Sequence, residues 1–111
     1  MKKILLFLII GTFLAGCNKK VNELSYKDLM KEKDYIIVDV RTEEEFRESH
    51  IKDAINISYE KIDGSELDKN KNIFVYCRSG KRSKIAFEKL KNLGYEVYDL
   101  GAFAEIDLPK E

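Results

Sequence analysis

The sequence predicts an α/β domain: a central, mostly parallel sheet of roughly four or five strands with helices on both faces. Two observations carry this reading. Apolar, β-branched runs recur along the chain, as in "YIIVDV" at 35–40 and "IFVYC" at 73–77, and such runs mark strands buried on both faces. Between them lie helical patterns of about ten residues, so consecutive strands need crossover connections. The bulk numbers agree. With 111 residues, one Pro, six Gly and 44% hydrophobic residues, the chain is of single-domain, globular composition.

Taken in order, the elements start at Ser25, a good N-cap for a short helix in "SYKDLMKEKD" to which Leu29 and Met30 give apolar contacts. Residues 18–24 before it read as a tether leading into a first strand or turn. The run 35–40 is the first strand. Thr42 then caps a helix whose first turn carries Glu43, Glu44 and Glu45, the sign favoured at the positive end of a helix dipole. "AINIS" at 54–58 is a second, short strand. The polar stretch 63–72 follows, with a possible helical turn at Glu66 and Leu67. "IFVYC" is the third strand, with Tyr76 read as core. The segment 80–93 has Ala86, Leu90 and Leu93 on one helical face, Ile85 and Phe87 at its edges, and Gly94 where a left-handed C-cap belongs. "YEVYDL" at 95–100 is a fourth strand, and the tail holds a short helix before Pro109.

The N-terminus reads as a targeting segment. Lys2 and Lys3 precede an apolar stretch at 4–16, too short to span a bilayer, which takes about 20 residues. It ends in "LAGC" at 14–17, which resembles the lipobox of bacterial lipoproteins. The resemblance implies that residues 1–16 are removed and that Cys17 is lipidated, giving an exported domain held on the extracytoplasmic side of a membrane. Residues 17–24 would then be the lipidated tether and 25–111 the domain. Ordinary signal cleavage and an uncleaved short anchor are the alternatives.

Charge excludes one class of partner. Twenty basic and twenty acidic residues give a formal net charge of zero, with no reason to expect a nucleic-acid face. The chain is expected to be a monomer. Cysteine use is more informative. There are two, Cys17 and Cys77. If Cys17 carries lipid, Cys77 is an unpaired thiol in a disulfide-permissive compartment; a Cys17–Cys77 disulfide is the competing reading. One cysteine and the single histidine, His50, are too few for a protein-built zinc site, so neither metal nor cofactor is expected.

Cys77 ends the third strand and is followed by "RSGKRS" at 78–83. In a parallel sheet, ligands bind beyond the carboxyl ends of strands. A turn there, entering a helix, can aim its backbone N–H groups at one point and form an anion cup. Gly80 permits the curvature, and Arg78, Lys81 and Arg82 surround it with positive charge. A thiol at its centre is expected to ionise readily and to need no general base. The residues alone therefore point to a nucleophilic cysteine acting on an oxyanion, or on a sulfur attached to one. A buried strand-end cysteine beside a solvated basic turn is the plainer alternative.

Four ordered motifs favour the first. "VDVR" at 38–41 with "EEF" at 44–46, "HIKDAINIS" at 50–58, "VYCRSGKRS" at 75–83 and "LKNLGYEVYDLGAFAEIDLP" at 90–109 together resemble the single-domain rhodanese sulfurtransferases. The likeness runs from about Ser25 to Pro109. It implies that Cys77 takes a sulfane sulfur from a small anionic donor such as thiosulfate and hands it, as a persulfide, to cyanide or a thiol acceptor. It implies that Arg78, Ser79, Gly80, Lys81, Arg82 and Ser83 cradle the donor, Arg82 and Lys81 most directly, while Asp39 and Arg41 brace the sheet end and the next helix. The loop follows the thiosulfate-type pattern rather than the "CGSGVT" type linked to mercaptopyruvate. Departures from the family pattern are Ser49 and Asp53 at usual glycines, Ala102 at the second glycine of a common pair, and Ile106 at a usual aromatic. His50 reads as a packed or turn histidine.

Two rivals remain. A cysteine-dependent phosphatase needs five residues between cysteine and arginine, and the spacing from Cys77 to Arg82 is one short. A persulfide carrier or binding module without turnover of its own would keep the same loop.

Overall fold

The computed structural model describes residues 23–111; Cys17, the expected signal segment and most of the expected tether lie outside them. The elements are α1 (Glu23–Glu32), β1 (Tyr35–Asp39), α2 (Glu43–Glu48), β2 (Ile55–Asn56), β3 (Asn72–Cys77), α3 (Lys81–Asn92) and β4 (Val97–Ala102), with 3-10 turns at Ile62–Gly64 and Phe103–Glu105. The four strands form one sheet in the order β2-β1-β3-β4, every pair parallel.

Alternation along the central strands divides the core in two. Val38, Val40, Ile73, Val75, Cys77 and Val97 face α3, where Ala86, Leu90 and Ile62 of the first 3-10 turn complete the packing. Ile37, Phe74, Tyr76 and Leu100 face the other side, where Tyr26, Leu29 and Met30 of α1 and Phe46 of α2 cover them. All six residues of β3 are buried, as expected for a strand with a neighbour on each edge and a layer on each face. Among the described residues, no helix is long and apolar enough to cross a membrane.

The structure moves several boundaries. Helix α1 takes in Glu23 and Leu24, and Ser25 lies inside the helix rather than capping it. Strand β2 holds two residues, not five: past Asn56 the regular pairing ends, although Ile57 N still donates to the Asp39 carbonyl and Tyr59 N to the Val40 carbonyl, and the Asn56 side-chain amide adds bonds to the carbonyls of Asp39 and Arg41. The polar stretch has its turn at Ile62–Gly64, around a buried Ile62, rather than at Glu66 and Leu67. Helix α3 stops at Asn92, and Leu93 is 43% exposed. Its buried stripe is Ser83, Ala86 and Leu90, one turn nearer the N-terminus than the apolar pattern suggests. Strand β4 starts late, because the Tyr95 N–H still closes the helix on the Leu90 carbonyl. It runs on to Ala102 through a bulge: Val75 pairs with Asp99 but Tyr76 with Gly101, leaving Leu100 as the extra residue. The helix expected in the tail is a single 3-10 turn at Phe103–Glu105.

Candidate active site

Strand β3 delivers Cys77 to the carboxyl end of the sheet, and α3 starts four residues later. Between them the chain must reverse around the sulfur. Gly80 makes this possible with φ +101, a region other residues rarely enter. The space beside it is open, since an added Cβ would meet Gly101 Cα only at 3.9 Å; the backbone angle, not crowding, calls for glycine. The turn aims two N–H groups at the thiol: Gly80 N lies 3.0 Å and Ser83 N 3.3 Å from Cys77 Sγ. The Ser83 hydroxyl donates back to the Gly80 carbonyl at 3.2 Å, locking the first turn of α3 against the loop. Cys77 has no exposed surface and, among the described residues, no disulfide partner, whereas Arg78, Ser79 and Lys81 stand exposed on the rim.

Arg82 is held from another element. Its terminal nitrogens donate to Glu45 Oε1 at 2.8 Å and Oε2 at 3.1 Å. Glu45 closes the capping box of α2: Thr42 N and Oγ1 donate to Glu45 Oε1, and Glu45 N donates to Thr42 Oγ1. The Arg82 hydrogen bond first, with Thr42 helping and burial opposing, pulls the Glu45 carboxyl down to about 2. The same pairing, with the charge of Cys77 adding to it, keeps the guanidinium above its ordinary pKa. From the sequence, Glu45 is legible only as a first-turn acid. The spacing Thr42 to Glu45 marks the box, and a first-turn arginine in α3 with no acid in that turn marks the need for a distant partner.

Beneath the loop lies a second polar assembly. Asp39, fully buried, accepts from Arg41 N and Nε, from Arg41 NH2 at 2.6 Å and from Tyr76 OH at 2.8 Å. Arg41 NH2 also reaches the Ser49 carbonyl, and the Tyr76 hydroxyl accepts the Ile51 N–H at 3.0 Å. The guanidinium lies 4.5 Å from the Phe103 ring centre. These bonds tie the end of β1 to β3 and to the turn after α2; neither Asp39 nor Arg41 is hydrogen-bonded to the Cys77 loop. Desolvation pushes the Tyr76 phenol well above its usual pKa, and it stays protonated.

His50 is packed away from the thiol. Its ring stacks on Phe46 at 3.8 Å, and Nδ1 donates to the Phe46 carbonyl at 2.8 Å. Of the family-pattern departures, Asp53 retains a left-handed backbone, φ 69, while Ser49 is extended. Ile106 is buried in the place of the aromatic. Two surface hollows, of about 560 and 510 Å³, lie beside α2 and β2 and at the end of α1, and neither includes Cys77. The cup is thus a shallow cradle of backbone N–H groups over a buried sulfur. Among the described residues no group of three or more His, Cys, Asp or Glu side chains is placed to hold a metal ion.

Comparison with known proteins agrees with this geometry. Residues 24–106 match the model of the Rhodanese-like domain. The chain belongs to the rhodanese family. A thiosulfate sulfurtransferase, GlpE, of Coxiella burnetii is 34% identical over 85 residues, covering 74% of this chain and 79% of that protein. The thiosulfate sulfurtransferase PspE of Escherichia coli is 37% identical over 78 residues, covering 66% and 75%. Among solved structures, a rhodanese with anions from E. coli superposes with a TM-score of 0.65 at 33% identity, covering 69% of this chain and 96% of that one. A rhodanese-related protein from Thermoplasma volcanium gives 0.65 at 27% identity, covering 78% and 87%. The rhodanese fold and its membership of a sulfurtransferase family are therefore established for this chain.

Proposed function

We propose that the protein is a sulfurtransferase that moves a sulfane sulfur from thiosulfate, or a similar donor, to a thiophilic acceptor through a persulfide on Cys77. The observation that carries this is the pair of N–H groups, from Gly80 and Ser83, converging on Cys77 Sγ at the head of α3. Those donors face a sulfur that carries negative charge during the reaction and make the same cup attractive to an anion. The Cys77 thiolate attacks the outer sulfur of thiosulfate. A new S–S bond forms, the bond between the two donor sulfurs breaks, and sulfite leaves with its electron pair. Cyanide or a thiolate then attacks the outer sulfur of the persulfide, and Cys77 departs as thiolate. Arg78, Lys81 and Arg82 offset the donor's charge in the first step, while Asp39 and Arg41 act as bracing.

The purified chain incubated with thiosulfate and cyanide is expected to form thiocyanate, and Cys77→Ser none. A gain of one sulfur on Cys77 without turnover would make the protein a persulfide carrier instead. No uptake at all would sink sulfur chemistry. Membrane anchoring through lipid on Cys17 is the companion proposal, supported by the "LAGC" sequence; a Cys17→Ala chain that stayed in the membrane fraction would refute it.

A further inference from the structure

We infer that Glu45 is a positioning residue for the donor cradle, acting through Arg82; this rests on the sulfurtransferase reading. Three observations converge. Arg82 sits in the first turn of α3 beside Lys81, in a turn with no acid, where a helix dipole disfavours a cation. Left alone, its long side chain gains by swinging out to solvent. Both its terminal nitrogens are instead fixed on Glu45, and the pair is partly buried, with side chains 26% and 20% exposed. Glu45 is in turn fixed to its own helix by Thr42 N and Oγ1 at 3.0 and 3.1 Å, so the carboxylate is a rigid anchor and not a second mobile arm.

The bond pattern leaves the arginine able to work. A guanidinium carries more N–H donors than one carboxylate can engage. With the terminal nitrogens spent end-on against Glu45, Nε–H and the outer N–H groups remain for an anion above Cys77. Glu45 therefore removes the conformational cost of ordering Arg82 when the donor binds. Its effect belongs in donor affinity more than in turnover.

The test uses Glu45→Asp, which keeps the charge but is one methylene too short to hold the same fork. In the purified chain, KM for thiosulfate should rise roughly five- to tenfold while kcat stays within about twofold. In an Arg82→Ala background the same substitution should do nothing further. An unchanged KM in Glu45→Asp overturns the inference. So does an equal rise in the Arg82→Ala background, because that would show Glu45 acting only as the cap of α2. A readout free of turnover separates this from failure of the sulfurtransferase reading. The rate of Cys77 alkylation by anionic iodoacetate, relative to neutral iodoacetamide, should fall in Glu45→Asp and be insensitive to it once Arg82 is alanine. That ratio decides the positioning role even if no thiocyanate forms.

Discussion

Replacing Tyr76 with phenylalanine removes one oxygen atom and keeps the ring, which stacks on Phe103 at 5.6 Å. The hydroxyl donates to the buried Asp39 carboxylate at 2.8 Å and accepts the Ile51 N–H at 3.0 Å. A hydrogen bond to a charged group contributes about 1.5–3 kcal/mol, and a buried N–H left without a partner costs about 1–3 kcal/mol. Asp39 keeps its Arg41 bonds, so the lower half of each range applies, and the expected loss is about 3 kcal/mol. Against a typical total of roughly 5–15 kcal/mol, that is a large fraction. Urea unfolding at pH 7 should show a lower midpoint at an unchanged slope, and the melting temperature should fall by roughly 10–20 °C. A loss under about 1 kcal/mol would mean that the hydroxyl does not bridge the carboxylate and the Ile51 amide, and that burial of the ring alone explains this position.

Other outcomes follow from single features. Gly80→Ala forces a side chain into φ +101 and should cost about 1–2 kcal/mol; because its N–H also points at Cys77, sulfur uptake measured by mass should slow in the same variant, and unchanged uptake would argue against that N–H as a thiolate donor. Asp53→Gly relieves a left-handed aspartate, φ 69, against the added freedom of the unfolded chain, and should stabilise by roughly 0.5 kcal/mol, whereas Asp53→Val should destabilise by more than about 1 kcal/mol; thermal melts of the pair decide it. The Glu45 carboxyl is held at about 2 against an ordinary value of 4.5, so its stabilisation is present in full above pH 4.5 and is lost as pH falls towards 2. The unfolding midpoints of the wild-type chain and Glu45→Gln should therefore converge over that interval, and a gap that stays constant with pH would remove the ion pair as its cause.

The parts legible in the sequence are those decided locally. The continuous apolar runs at 35–40 and 73–77 specified β1 and β3, since a strand covered on both faces has no polar alternation to hide it. The position of Gly80 between a strand and a helical pattern specified the turn around Cys77. What escaped reading depends on the partner surface. Leu93 fits a helical stripe, but the helix ends before it. Residues 54–58 look like a full strand, yet only Ile55 and Asn56 pair in register with β1, and the chain beyond is held by single bonds from Ile57 and Tyr59. Tyr76 reads as core and is buried, but nothing in "FVYC" tells that its hydroxyl serves Asp39 in another strand. The Glu45–Arg82 pair joins residues 37 positions apart in the chain, and only the docking of α2 beside the head of α3 brings them together.

Cys77 and Tyr76 are neighbours along β3, yet they address opposite halves of the molecule, one towards α3 and the other towards α1 and α2. The sheet stands between the Cys77 sulfur and the buried Asp39–Arg41 pair, yet charge acts across it: Asp39 helps to keep Arg82 above its ordinary pKa, and Glu45 does the same for Arg41. The two sides are also joined mechanically. Sliding β3 by one residue against β1 would put a phenol in the cup and a thiol among the buried charges. The register that pairs Asp39 with Tyr76 is therefore also what selects which side chain faces the Gly80 and Ser83 N–H groups.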